Sequence, residues 1–121
     1  MSFSFAKRAK SFVHATRGIW LYVKNTHNAW LHFTVFVIVI LLGIYFKITG
    51  QEWEILILTS GLVFVTEAVN SAIEVDIDLT SPEYHPYARD TKDIAAGAVL
   101  ISAIFALVVG LFIFLPHIFQ I

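Results

Sequence analysis

The sequence predicts an all-α integral membrane protein with three transmembrane helices and an N-terminal amphipathic surface helix. Two observations carry that prediction. Of its 121 residues 58% are hydrophobic and the mean hydropathy is +0.77, more apolar surface than a soluble domain of this length could bury. Three apolar runs also approach or exceed the roughly 20 helical residues needed to cross a hydrocarbon layer of about 30 Å. Cysteine is absent, which excludes disulfide and thiolate chemistry.

The first element, about residues 5–27, is charged. Lys7, Lys10, His14, Arg17 and Lys24 recur at steps of three, four or seven, so a helix gathers them on one face. Phe5, Ala9, Phe12, Val13, Trp20 and Val23 fall mostly on another. That pattern suits a cationic helix lying on an anionic membrane surface, and equally an amphipathic helix packed on a bundle. Apolar spans follow at about 29–46, 53–75 and 94–115, the first closed by the turn-like KITGQE and the last ending before Pro116. Pro82, Pro86 and Pro116 are all expected in or after loops. The first long apolar run starts too far along to be a cleaved signal peptide, so the mature chain is expected to be full length. With no internal repeat or flexible linker, residues 1–121 read as a single membrane domain.

Basic residues orient the spans. Lys7, Arg8, Lys10, Arg17 and Lys24 precede the first, Lys47 alone follows it, Arg89 and Lys92 follow the second, and none follows the third. The positive-inside bias therefore puts the N-terminus and the loop from Asp76 to Asp93 in the cytoplasm and the C-terminus outside. Trp20, Tyr22, Trp30, Tyr45 and Trp53 fall near the expected boundaries, as in an aromatic belt.

The second span carries an anomaly. Its apolar run ILILTSGLVFVT leads directly into EAVNSAIEVDID. At about 100° per residue, Glu67, Asn70, Ser71, Glu74 and Asp78 form one polar stripe, while Asp76 points nearly the opposite way. An ionisable group at the centre of a span costs about 2.5 to 3.5 kcal/mol on insertion scales, so such carboxylates face a partner, a metal or a wet cleft. A purely structural contact would need a buried base, and the third span carries no charge from Ile94 to Leu115.

The available cations are Arg89 and Lys92, in ARDTKDIAAGAV, where Asp90 or Thr91 could cap the third span and the run Ala95 to Ala98 would let another helix approach closely. Acid stripe, lysine and helix start would then meet at the cytoplasmic interface. Carboxylates suited to Mg²⁺, beside a lysine for phosphate charge, suggest phosphoryl transfer from a nucleotide. No Walker A loop, glycine-rich kinase loop, HRD or DFG pattern is present, so soluble nucleotide-binding architectures are excluded as far as motifs can exclude them. His14, His27, His32, His85 and His117 lack metal-ligand spacing and read as interfacial or loop residues.

EAVNSAIEVDID resembles the signature of the prokaryotic diacylglycerol kinase family, and EYHPYARDTKDIAAGAVL resembles its second block at the expected separation. KSFVHATRGIW and the late FLP look closer to the family's undecaprenol kinase branch in Gram-positive bacteria. The resemblance implies a bacterial cell-membrane homotrimer with active sites shared between subunits at the cytoplasmic face, using ATP and Mg²⁺ on a lipid alcohol and binding no nucleic acid. It implies Glu67 as the catalytic base for the lipid hydroxyl, Asn70 as the residue orienting that site with Ser71 near the substrate, and Glu74 as the metal ligand. It places Lys92 and Asp93 at the nucleotide phosphates, and Glu83, His85 and Arg17 around the nucleotide.

One position departs from the pattern. Relatives carry a metal-binding glutamate before the first span, in a pattern like ERNFxxH, whereas this chain reads Thr26, His27, Asn28, Ala29, Trp30, Leu31, His32. Asn28 and His32 agree, but Thr26 stands in the glutamate's place, and a neutral hydroxyl is the poorer Mg²⁺ ligand. The leading expectation is phosphorylation of undecaprenol. The alternatives are a diacylglycerol kinase making phosphatidic acid, and a lapsed kinase kept for binding.

Overall fold

The computed structural model describes residues 4–121, with the side chain of His27 outside the described residues. Four α-helices follow one another: α1 (Phe5–Asn25), α2 (His27–Phe46), α3 (Gly50–Thr80) and α4 (Pro86–Phe119), with no strand among the described residues. The last three are long and apolar enough to cross a membrane.

Each helix starts and stops for a local reason. Ser4 caps α1 by accepting from the Lys7 amide at 3.4 Å. One extended residue, Thr26 (φ −110°, ψ 114°), separates α1 from α2. Lys47 ends α2 in the left-handed region at φ 53°, and its amide donates to the Gly43 and Ile44 carbonyls. Two residues later Thr49 and Glu52 form a reciprocal capping box, with bonds of 3.0 and 3.1 Å, that starts α3. This tight turn brings α2 onto α3: a methyl added at Gly43 would sit 2.6 Å from the Trp53 ring, so any larger residue would have to displace that ring.

Three expectations are corrected. The third span was expected to stop before Pro116, but α4 continues through it to Phe119. A proline in the last turn deletes a single amide donor, and the Gln120 and Ile121 amides both donate to its carbonyl. Asp90 and Thr91, expected as caps, lie inside α4. His85 is the cap instead, its Nδ1 accepting from the Tyr87 amide at 3.1 Å, and Pro86 occupies the first turn, where its missing N–H costs nothing. Pro86 therefore opens a helix rather than breaking a loop.

The 31 residues of α3 and 34 of α4 correspond to about 46 and 51 Å at 1.5 Å per residue. Both exceed the hydrocarbon layer by several turns, and the excess carries the polar residues. The two helices make the most extensive contact in the molecule. Ile48, Leu56, Ile113 and Phe114 form its core at the α2–α3 turn, with Phe46 tilted against Phe114 at 6.2 Å. Higher in the layer Thr66 Oγ1 and Ser102 Oγ meet at 2.9 Å, satisfying two hydroxyls across the helix pair. At the far end Ala95, alone of its small-residue run, is buried. Most large apolar side chains of α2, α3 and α4 remain exposed, as expected of a surface that meets lipid or other membrane helices rather than water.

Candidate functional site

Polar side chains are strung along α3 in order of depth. Glu67 comes first, directly after the apolar run, and is 2% exposed. A carboxylate so placed must find a hydrogen-bond donor. The nearest polar group described comes from α2, where His32 Nε2 lies 2.9 Å from Glu67 Oε1. The partner that could not be found on α4 is thus a half-buried histidine of the first span, and His32, read from sequence as an interfacial or loop residue, is an interhelical contact. The ERNFxxH-like spacing was the available signal, because it fixes His32 one and a half turns into α2.

Tyr22 of α1 approaches the same carboxylate. Its hydroxyl is buried without a hydrogen-bond partner. Burial, and after it the Glu67 charge, hold this phenol above its ordinary range. Tyr22 also lines an apolar cavity of about 490 Å³ between α1, α2 and α3, whose walls include Ile19, Trp30, Phe33, Phe36 and Phe64. Tyr22 thus borders the apolar space and feels the charge of the acid.

One turn further along α3, Asn70 donates from Nδ2 to Glu74 Oε1 at 3.3 Å, while its own Oδ1 is buried without a partner. Ser71 Oγ meets Thr26 Oγ1 at 3.2 Å, which fixes the α1–α2 break against the stripe. Glu74 is exposed. Thr26, Asn70, Ser71 and Glu74 thus come together as a set of oxygens with one carboxylate.

Two turns beyond Ser71, Lys92 Nζ donates to Asp78 Oδ1 at 2.6 Å and ties the start of α4 to the end of α3. Arg89 and Asp93 form a looser exposed pair at 3.9 Å. Asp78, Glu83, His85, Arg89, Lys92 and Asp93 all line one cavity of about 240 Å³ at the α3–α4 turn. Lys92, Asp93, Glu83 and His85, singled out from sequence, are therefore brought together. Arg17 is not: it is exposed on α1, and none of the hydrogen bonds or ion pairs described joins it to these groups. From Glu67 to Asp78 the helix rises about 16 Å.

The sequence profile described as prokaryotic diacylglycerol kinase matches residues 13–114. The chain belongs to the prokaryotic diacylglycerol kinase family. It is similar to an undecaprenol kinase of Bacillus subtilis, 41% identical over 107 residues that cover 88% of this chain and 87% of the relative. It is also similar to a diacylglycerol kinase of Helicobacter pylori, 31% identical over 85% of this chain and 86% of that protein. A diacylglycerol kinase of Escherichia coli is 27% identical over 78% of this chain and 83% of its own length. Membership of the diacylglycerol kinase family makes the chain a membrane lipid kinase, and its matched region contains every polar group of the α3 stripe.

Among the described residues, no three His, Asp or Glu side chains converge as a resident metal cage. The Thr26–Glu74 set nonetheless fits Mg²⁺ carried in on a nucleotide. That ion commonly takes one or two carboxylates and completes its shell with phosphate oxygens and water. Glu74 would supply the carboxylate and the Thr26 and Ser71 hydroxyls neutral oxygens, while Asn70 turns its Nδ2 rather than its buried Oδ1 toward Glu74.

Proposed function

We propose that this chain phosphorylates undecaprenol to undecaprenyl phosphate with ATP at the cytoplasmic face of the bacterial cell membrane. The observation that carries the reading is the depth order on α3. A buried acid lies at the lipid end, and a cation-bearing cavity about 16 Å away lies at the water end of the same helix. The undecaprenol assignment draws on the 41% identity to a kinase of that name.

Glu67 is the base. Its carboxylate accepts the proton of the lipid hydroxyl as that oxygen attacks the γ-phosphorus. A new O–P bond forms, the bond from the γ-phosphorus to the bridging oxygen breaks, and ADP leaves with the electron pair. Asn70 and Ser71 orient the reacting groups one turn away. Mg²⁺, when bound, neutralises developing phosphate charge, and Glu74 would hold it. Lys92, released from Asp78, offers its ammonium to phosphate, supported by Asp93, while Glu83 and His85 flank the nucleoside end. The basic residues of α1 suit contact with anionic headgroups, which keeps the N-terminus and the α3–α4 turn inside and the C-terminus outside. A homotrimer is the assembly we assign, since it would cover apolar surface that α2–α4 leave exposed.

The test is to give the purified protein γ-labelled ATP and Mg²⁺ with undecaprenol and diacylglycerol in parallel membranes. Label on undecaprenol is expected. Label on diacylglycerol alone would replace the substrate, and label on neither would overturn the kinase reading in favour of a binding role.

A further inference from the structure

We propose that His32 is a positioning residue for the reaction, the donor that aims the Glu67 carboxylate at the lipid hydroxyl. The inference rests on Glu67 as base and adds a residue from a different helix to the machinery.

Glu67 sits on α3 with its side chain almost wholly enclosed, at 2% exposure, whereas the His32 ring is 22% exposed. A glutamate has three side-chain torsions, and an enclosed carboxylate with no donor would turn toward whatever polar atom it could reach. His32 removes that freedom. With His32 Nε2 standing 2.9 Å from Oε1, one oxygen is held beside the ring and the other is left to accept the incoming proton. The groups facing this carboxylate can be taken helix by helix. From α1 comes Tyr22, whose hydroxyl is enclosed and without a hydrogen-bond partner. From α2 comes His32, and α4 has no ionisable side chain between Asp93 and His117. His32 is thus the side chain that makes the described polar contact to Glu67.

The pair also joins two elements. α2 follows the Thr26 break, and Thr26 bonds Ser71 on the Glu67 helix. The Thr26–Ser71 and His32–Glu67 contacts lie six residues apart on one side and four on the other, so they clamp α2 to α3 around the stripe. Misplacing a reacting group by about 1 Å costs on the order of 100-fold in rate. A carboxylate freed from its donor can move by more than that.

The experiment compares wild type, His32→Ala, His32→Phe and His32→Gln in detergent-lipid micelles, with undecaprenol and labelled ATP titrated separately. Glutamine can present an amide N–H at a reach similar to Nε2, and phenylalanine keeps the ring while deleting the donor. We expect His32→Ala and His32→Phe to lower kcat by about 10- to 100-fold with KM for ATP within about twofold. His32→Gln is expected to recover at least about tenfold of that loss. Thermal midpoints of all four report folding, and His32→Phe carries the comparison if His32→Ala does not fold. An unchanged kcat in the donor-less variants, an equal loss in His32→Gln, or a change in KM for ATP with kcat intact would each overturn the proposal while the wild type stays active. A wild type that labels neither lipid would instead overturn the kinase reading, and His32's role with it.

Discussion

Replacing Thr26 by glutamate tests whether the α1–α2 break belongs to the metal-binding set. Thr26 Oγ1 lies 3.2 Å from Ser71 Oγ, and Ser71 and Glu74 are neighbours on α3, their side chains about 5–6 Å apart. A carboxylate at position 26 would therefore stand roughly one turn from Glu74. At an effective dielectric of about 20, two like charges about 6 Å apart repel by about 3 kcal/mol. Glu74 is exposed, so solvent screening leaves roughly half of that, about 1.5 kcal/mol. A divalent cation between the two carboxylates reverses the sign. Relief of even this screened repulsion corresponds to about tenfold in cation affinity. The Thr26→Glu variant should consequently reach half-maximal rate at about one-tenth of the free Mg²⁺ concentration, and without Mg²⁺ it should melt at a lower temperature than the parent. The assay is the initial rate of label transfer to undecaprenol at fixed ATP across a Mg²⁺ titration. Superimposable curves for variant and parent would refute the reasoning, because they would place Thr26 outside the ion's reach.

Glu67→Gln keeps the side-chain volume and removes the proposed base, so lipid phosphorylation should fall by at least about 100-fold while the protein remains folded; an active variant sinks that role. Lys92→Met removes the ammonium from the α3–α4 cavity, and KM for ATP should rise several-fold with little change in thermal midpoint, because the exposed Asp78–Lys92 pair is screened by water. Gly43→Ala forces a methyl to within 2.6 Å of the Trp53 ring, and overpacking of this kind should cost about 1–3 kcal/mol, read as a lower melting temperature in detergent. Tyr22→Phe deletes a hydroxyl that is buried without a partner; stability should be unchanged or rise by about 1 kcal/mol, and a clear loss would mean that the hydroxyl has a partner.

Hydropathy was enough to find the three spans, because lipid demands continuous apolar surface whatever the packing. It could not find where the helices end. Residues 76–80 and 86–93 are polar, which reads as a loop beside a membrane, yet a helix that has left the membrane becomes polar for the same reason. The caps were hidden likewise: Asp90 and Thr91 have the right chemistry, but Pro86 with His85 before it offered an earlier start. Periodicity did place Glu67, Asn70, Ser71 and Glu74 on one side of α3, since that is a property of one helix. What it could not supply was the partner of Glu67. His32 stands on another helix, and a contact between helices depends on crossing geometry that no local pattern contains.

Under the proposed assignment, the length of α3 accounts for how so short a chain would join two substrates that never share a phase. A helix matched to the hydrocarbon layer would end where the lipid hydroxyl begins and leave nothing to hold a nucleotide. α3 runs about 46 Å, some 16 Å longer than that layer, and the segment from Glu67 to Asp78 rises by about the same amount. α4 doubles back along it, and Lys92 bonds Asp78 where the two helices leave the turn. In the proposed reading, one rigid rod would carry the acid for the lipid and, through its partner helix, the cation for the nucleotide. Their separation is set by residue count rather than by a flexible loop. Deleting Val75, Asp76 and Ile77, the three residues between Glu74 and Asp78, would shorten that separation by about 4.5 Å and turn Asp78 by about 60° around the helix. Such a protein should still fold and bind nucleotide, but transfer little phosphate to lipid. Full transfer activity in it would show that the spacing along α3 is not what aligns the two substrates.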